Sequence, residues 1–143
     1  VKGKLISIKD VPDVTFSEEM VGKGVAVIPE ENELYSPVGG TVTTVFPTSH
    51  AIGLTTKDGI DILLHIGLDT VNLKGEGFDV KVKEGDEVKA GDLLVVADFE
   101  KIKLAGYRLE TPVIICNPEQ CKKLTYTKPQ AVNKGDVIIK YLK

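Results

Sequence analysis

The stretch Ala51-Ile52-Gly53-Leu54-Thr55-Thr56-Lys57-Asp58-Gly59-Ile60-Asp61-Ile62-Leu63-Leu64-His65-Ile66 reads as two apolar strands about a turn. Ile60, Ile62, Leu64 and Ile66 recur at every second position, the period of a strand with one face in a core. Asp58-Gly59 favours a tight hairpin, because both residues tolerate the positive φ that such turns require. If these two residues form the whole loop, Ile52 lies opposite His65, Leu54 opposite Leu63 and His50 opposite Gly67. His50 and His65 then share a face as diagonal neighbours, about 7–8 Å apart at the backbone. That face also carries Ile52, Leu54 and Leu63, and it points away from the core. A three-residue loop would shift the register by one and send the histidines to opposite faces.

Outward from this hairpin the pattern persists. Glycine (14) and proline (7) recur at short intervals between segments rich in Val, Ile, Leu and Thr, which predicts many short strands joined by turns. One such segment, Val38 to Val45, follows Gly39-Gly40 with an unbroken β-branched run. Val82 to Asp86, Val88 to Asp92 and Val132 to Asp136 share the form V-x-x-G-D, in which glycine supplies a turn and aspartate ties its backbone. Helical signals are confined to a turn near Phe16 to Met20 behind Ser17, and to Asp98–Leu104 with Asp98 as N-cap. These features predict an all-β fold with one or two short helical turns. No linker or composition shift divides the 143 residues, so the expectation is a single domain over 1–143.

Composition narrows the function. A net charge of -3 excludes a strongly basic nucleic-acid binder. The longest apolar runs, Leu93 to Ala97 and Val113 to Cys116, are strand-sized and too short for a membrane helix. Lys2, Lys4 and Lys9 interrupt every apolar stretch at the start, unlike a signal peptide. Cys116 and Cys121 are too few for a disulfide scaffold and read as reduced cytosolic thiols.

Two histidines, the only ones in the chain, are therefore the main candidates for chemistry. A lone strand histidine is ordinarily structural, but two that converge suggest a site. One reading is a metal centre: His50, His65 and Asp69 leave zinc short of a full ligand set unless a partner completes it. The other is a nucleophile pair, in which one neutral imidazole attacks phosphorus and its neighbour donates a hydrogen bond to the phosphoryl oxygens. No Walker spacing, carboxylate pair or Ser–His–Asp set competes.

Thr48-Ser49-His50-Ala51-Ile52-Gly53 and Ile62-Leu63-Leu64-His65-Ile66-Gly67-Leu68-Asp69-Thr70-Val71 closely resemble the glucose-class enzyme IIA domain of the bacterial phosphoenolpyruvate-dependent sugar phosphotransferase system. Leu73 to Phe78, Glu84-Gly85-Asp86, Gly91-Asp92, Val11-Pro12-Asp13, Phe16-Ser17-Glu18, Ser36 to Gly40, Thr111-Pro112-Val113 and Gly135-Asp136 extend the resemblance over nearly the whole chain. It implies an antiparallel β-sandwich of duplicated hybrid type and a phosphoryl relay. The carrier HPr would phosphorylate His65 at Nε2, with the other ring nitrogen oriented by a carbonyl near Gly67. A cysteine of the sugar-specific IIB domain would then take the group, for transfer to sugar during transport. His50 would steady the phosphoryl group, Thr48 would join its hydrogen-bond network, and Phe16, Val21, Phe46, Leu63 and Asp69 would meet partners. The resemblance further implies a cytoplasmic domain, free or tethered to a permease. No cofactor is required, and zinc would be adventitious or partner-completed at His50 and His65. The sugar is set by components outside this chain.

Two rivals are weaker. A biotinyl or lipoyl carrier shares the rhythm from Val82 to Leu93, but none of Lys81, Lys83 or Lys101 sits at the hairpin tip such carriers need. A zinc peptidase would need a further His-x-His, and no histidine follows His65.

Overall fold

The computed structural model describes residues 3–17, 22–121, 123–126, 130–132 and 139–142. The strands are β1 (Gly3–Ser7), β2 (Lys23–Pro29), β3 (Glu33–Tyr35), β4 (Gly40–Val45), β5 (Ala51–Thr55), β6 (Asp61–His65) and β7 (Phe78–Val80). They continue as β8 (Glu87–Val88), β9 (Leu93–Ala97), β10 (Thr111–Ile115), β11 (Lys123–Tyr126), β12 (Gln130–Val132) and β13 (Ile139–Leu142). Two short helices, α1 (Val14–Ser17) and α2 (Phe99–Leu104), and three 3-10 turns complete the described chain. One large sheet runs in the order β12-β1-β2-β10-β6-β5-β4-β8, beside a β3-β9-β7 sheet and a β11-β13 pair. All these pairings are antiparallel, as an all-β sandwich requires.

The main core lies between the large sheet and the β3-β9-β7 sheet. Leu5, Val25, Val27, Ile52, Leu54, Ile62, Leu64 and Ile66 meet Leu34, Leu94, Val95 and Ala97 there. Alternation selects the core residues of β2, β5 and β6, since every second side chain points the same way. The other face of the large sheet is also covered at its middle. Ala26 on β2 and Ile114 on β10 pack there with Ile8, Val11, Phe16 and Leu68 in a second, smaller cluster.

The hairpin register differs from the sequence expectation. Ala51 pairs with His65, Ile52 with Leu64, Gly53 with Leu63 and Leu54 with Ile62. The loop has three residues, Lys57-Asp58-Gly59, closed by the Thr56 N–H on the Ile60 carbonyl at 2.9 Å. The Thr56 hydroxyl accepts from the Ile60 N–H at 3.0 Å, and Gly59 takes φ +86° at the last loop position. Thr56 thus competes with the shorter turn by supplying a side-chain acceptor. One consequence is that Ile52 and Leu54, expected on the outer face beside His65, lie fully buried in the core.

The helical turn expected near Phe16 to Met20 begins earlier, at Val14. α1 covers Val14–Ser17 because the Asp13 carbonyl accepts from the N–H groups of both Phe16 and Ser17; residues 18–20 lie outside the described chain. Asp98 caps α2 as expected, its Oδ1 accepting from the Lys101 N–H at 3.1 Å. In two V-x-x-G-D units the aspartates close their turns from the side chain: Asp86 and Asp92 accept from the N–H groups of Lys83 and Lys89. Residues 133–136 of the third unit lie outside the described chain. Among the described residues, no helix is long and apolar enough to cross a membrane.

Candidate active site

His65 is the last residue of β6, and its side chain is on the face opposite the main core. The chain then turns through Gly67 at φ +73° and Asp69 at φ +59°. This turn is held from three directions. The Thr70 hydroxyl donates to the Ile66 carbonyl at 2.5 Å, the Ile66 N–H donates to the His50 carbonyl at 2.7 Å, and the Leu68 N–H donates to the Arg108 carbonyl at 3.1 Å. Gly67 is sterically required: a Cβ there would lie 2.8 Å from Thr70 Cγ2 and 2.9 Å from the Arg108 carbonyl oxygen. The carbonyl of Gly67 receives the Nδ1–H of His65 at 2.7 Å. A carbonyl can only accept, so the proton of the neutral ring sits on Nδ1 and the lone pair is on Nε2.

His50 comes from the other side of the hairpin. It precedes β5, directly after Ser49 at φ +60°, and so escapes the strand alternation that would send it into the core with Ile52. The two rings therefore meet despite the shifted register, with centroids 4.9 Å apart and planes 77° to each other. Thr48 Oγ1 lies 2.6 Å from His50 Nδ1. Phe46 sets its ring edge-on to His50 at 5.4 Å, and Phe16 tilts against His65 at 4.9 Å.

Both imidazoles are held neutral. Burial pushes the His50 pKa down to about 4, with the neighbouring His65 adding to the shift. Burial likewise lowers His65, opposed by the Gly67 carbonyl on its Nδ1–H and by the carboxylates of Asp13 and Asp69. A neutral ring with its lone pair on Nε2 is a nucleophile near pH 7.

Thr48, His50, Phe16, Phe46 and Leu63 all fall in or beside this cluster, whereas Asp69 is exposed at its edge. Phe16, expected at the rim, is 5% exposed and belongs to the second cluster with Leu68 beneath the site. Val21 lies outside the described residues. Sequence reasoning gave no role to Asp13, which reaches His65 only through folding of a segment 52 positions away. It also passed over Val71, a large apolar side chain 46% exposed just after Asp69, and the Arg108 carbonyl. Val71 stands within the motif, but the exposure of one valine between Thr70 and Asn72 cannot be read from the sequence.

The family model for the phosphoenolpyruvate-dependent sugar phosphotransferase system, EIIA 1, matches residues 1–121. The chain belongs to this EIIA 1 family. Glucose-specific EIIA components of the phosphotransferase system agree: that of Staphylococcus epidermidis is 43% identical over 134 residues, 94% of this chain and 81% of that protein. Its counterpart in Staphylococcus aureus is 45% identical over the same length. The beta-glucoside-specific EIIBCA component of Bacillus subtilis is 52% identical over 120 residues, 84% of this chain. The chain spans about a fifth of the length of the beta-glucoside-specific relatives it matches. Among solved structures, the glucose permease IIA from Mycoplasma capricolum superimposes with a TM-score of 0.91 at 42% identity, covering 96% of this chain and 90% of that one. As an EIIA 1 member, the chain is a phosphotransferase component of the sugar phosphotransferase system.

Proposed function

We propose that His65 carries the phosphoryl group, taking it from phosphorylated HPr and yielding it to a cysteine of a IIB domain. The observation that carries this reading is the Nδ1–H of His65 on the Gly67 carbonyl, with the His50 ring 4.9 Å away. In the first transfer the Nε2 lone pair attacks phosphorus and a P–N bond forms, while the bond to the donor's imidazole breaks and its electron pair stays on that ring. In the second, a thiolate attacks and His65 leaves with its lone pair restored. His50 takes part as a hydrogen-bond donor: with the Thr48 hydroxyl donating to Nδ1, the His50 proton resides on Nε2 and can meet the phosphoryl oxygens. The Phe16 and Phe46 rings against the histidines limit the water that would hydrolyse the phosphoramidate.

The transfer needs no cofactor. A zinc ion at His50 and His65 would need ligands from a partner, because among the described residues no group of three or more His, Cys, Asp or Glu side chains could hold one. Leu63, Phe46, Val71 and Asp69 form the surface offered to HPr and IIB, on the cytoplasmic side of the membrane. The domain works either as a separate protein, as the glucose-specific EIIA names suggest, or joined to IIB and IIC, as the EIIBCA names suggest. Incubation with enzyme I, HPr and phosphoenolpyruvate, followed by mapping of acid-labile phosphate, tests the reading: label on Nε2 of His65 supports it, and label elsewhere or none overturns it.

A further inference from the structure

The carbonyl that orients His65 is itself held by a second chain segment, the one entering β10. Arg108 and Glu110 in that segment form a two-pronged ion pair, with Arg108 Nε 3.0 Å and Nη2 2.9 Å from Glu110 Oε2. The two ends of the pair are unequally placed: the Glu110 side chain is 8% exposed and that of Arg108 is 64% exposed. A carboxylate this deep is costly without a partner, so the guanidinium folds back over it and fixes the backbone of residues 108–110. Within that stretch the Arg108 carbonyl does two things. It accepts the Leu68 N–H at 3.1 Å, and it sits so close to Gly67 that a Cβ there would meet it at 2.9 Å. Gly67 and Leu68 share one rigid peptide plane, the one whose oxygen is the acceptor for His65 Nδ1–H. The Leu68 N–H and the Gly67 C=O are opposite ends of that plane. Fixing the first aims the second.

We propose that Arg108 and Glu110 are positioning residues for His65, holding the Gly67–Leu68 peptide so that its carbonyl keeps the proton on Nδ1 and the lone pair on Nε2. Neither side chain touches the ring. Loss of the guanidinium would force segment 108–110 to open and hydrate Glu110, withdrawing the Arg108 carbonyl from Leu68 and freeing the peptide to rotate. The consequence for rate rests on the phosphoryl-carrier reading above, while the consequence for the tautomer does not.

Three variants test this: Arg108→Ala, Arg108→Lys and Glu110→Leu. The last removes the tie without leaving a buried charge, and so remains informative if Arg108→Ala fails to fold. Two quantities are measured on folded protein, the Nδ1–H fraction of His65 by imidazole ¹⁵N NMR, and kcat and KM for acceptance from phosphorylated HPr. Arg108→Ala and Glu110→Leu are expected to lower the Nδ1–H fraction and reduce kcat about tenfold with KM unchanged, as small misplacements of a reacting group do. Arg108→Lys should recover part of both, because an ammonium restores charge but cannot match the carboxylate with two parallel donors. Wild-type values of either readout in folded Arg108→Ala or Glu110→Leu would overturn the proposal, however much stability was lost. If the unaltered protein accepted no phosphoryl group, the functional reading would fall and the tautomer measurement alone would decide the positioning role.

Discussion

The β5–β6 hairpin has two ends built from the same strands and put to opposite uses. At the tip, short polar side chains meet the carbonyl of the last loop residue and the N–H groups of the two residues that follow it. Thr56 serves Ile60, and Asn117 reaches across from beyond β10 to donate to the Gly59 carbonyl and accept from the Asp61 N–H, each at 2.9 Å. At the base the partners are reversed, and backbone carbonyls serve side chains. Gly67 C=O takes one nitrogen of His65 and leaves the other with no hydrogen bond among the described residues, in a site lined by Phe16 and Phe46. Side-chain hydrogen bonds at Gly59, Ile60 and Asp61 make the tip a clamp. Satisfying one nitrogen of a ring and leaving its lone pair outward makes the base a reagent.

The largest effect belongs to the base. His65→Ala should abolish phosphoryl acceptance, measured as label from phosphoenolpyruvate through enzyme I and HPr; residual label at the wild-type rate would break the comparison at once. His50→Gln should leave acceptance largely intact while onward transfer to IIB slows by about a hundredfold, the usual scale for losing one donor to developing charge. Equal loss in both half-reactions would remove the distinction between the nucleophile and its neighbour.

Next comes the peptide geometry and the charge state of the pair. Gly67→Ala places a Cβ against Thr70 and the Arg108 carbonyl in a left-handed conformation, and should cost about 2 kcal/mol or more in urea unfolding. The neutral histidines make stability depend on pH in one direction. Above 6.5 both folded and unfolded states are unprotonated at His50 and its contribution is complete. Between 6.5 and about 4 the unfolded chain binds a proton that the native site refuses, so stability falls with pH by about 1.4 kcal/mol per unit from this residue. Denaturation midpoints from pH 7.5 to 4.5 measure the slope, and His50→Gln should flatten it; an unchanged slope would show that the ring is not held neutral.

Much of this was legible beforehand, for uneven reasons. Ile60, Ile62, Leu64 and Ile66 alternate without a break, and a two-residue period leaves them no fold but a half-buried strand. Asp98 before α2 was equally plain, because its cap is local. The register was not, since choosing between a two- and a three-residue loop depends on whether the Thr56 hydroxyl captures the Ile60 N–H, a competition of about 1 kcal/mol. The convergence of His50 and His65 was expected from one geometry and arises from another, the kink at Ser49. Asp13, quoted only as part of a motif, and Arg108 were given no role at the site because they meet it only in three dimensions. Local chemistry reads directly from a chain, and contacts between distant segments do not.

The smallest effect on transfer is expected at the tip, and it is the sharpest test of the contrast. Asn117→Ala removes an acceptor from the Asp61 N–H and a donor from the Gly59 carbonyl. Asn117 is only partly buried, so water can replace some of what is lost, and the cost should be about 1–2 kcal/mol of stability. The rate of phosphoryl acceptance should not move, because the register of β5 against β6 is also fixed by their ladder, by the β6–β10 ladder and by the buried row from Ile60 to Ile66. Urea unfolding and the transfer assay on one preparation separate the two quantities. A slower transfer in the fully folded variant would mean that the clamp governs the reagent from the far end of the hairpin, and the division of labour between the two ends would have to be abandoned.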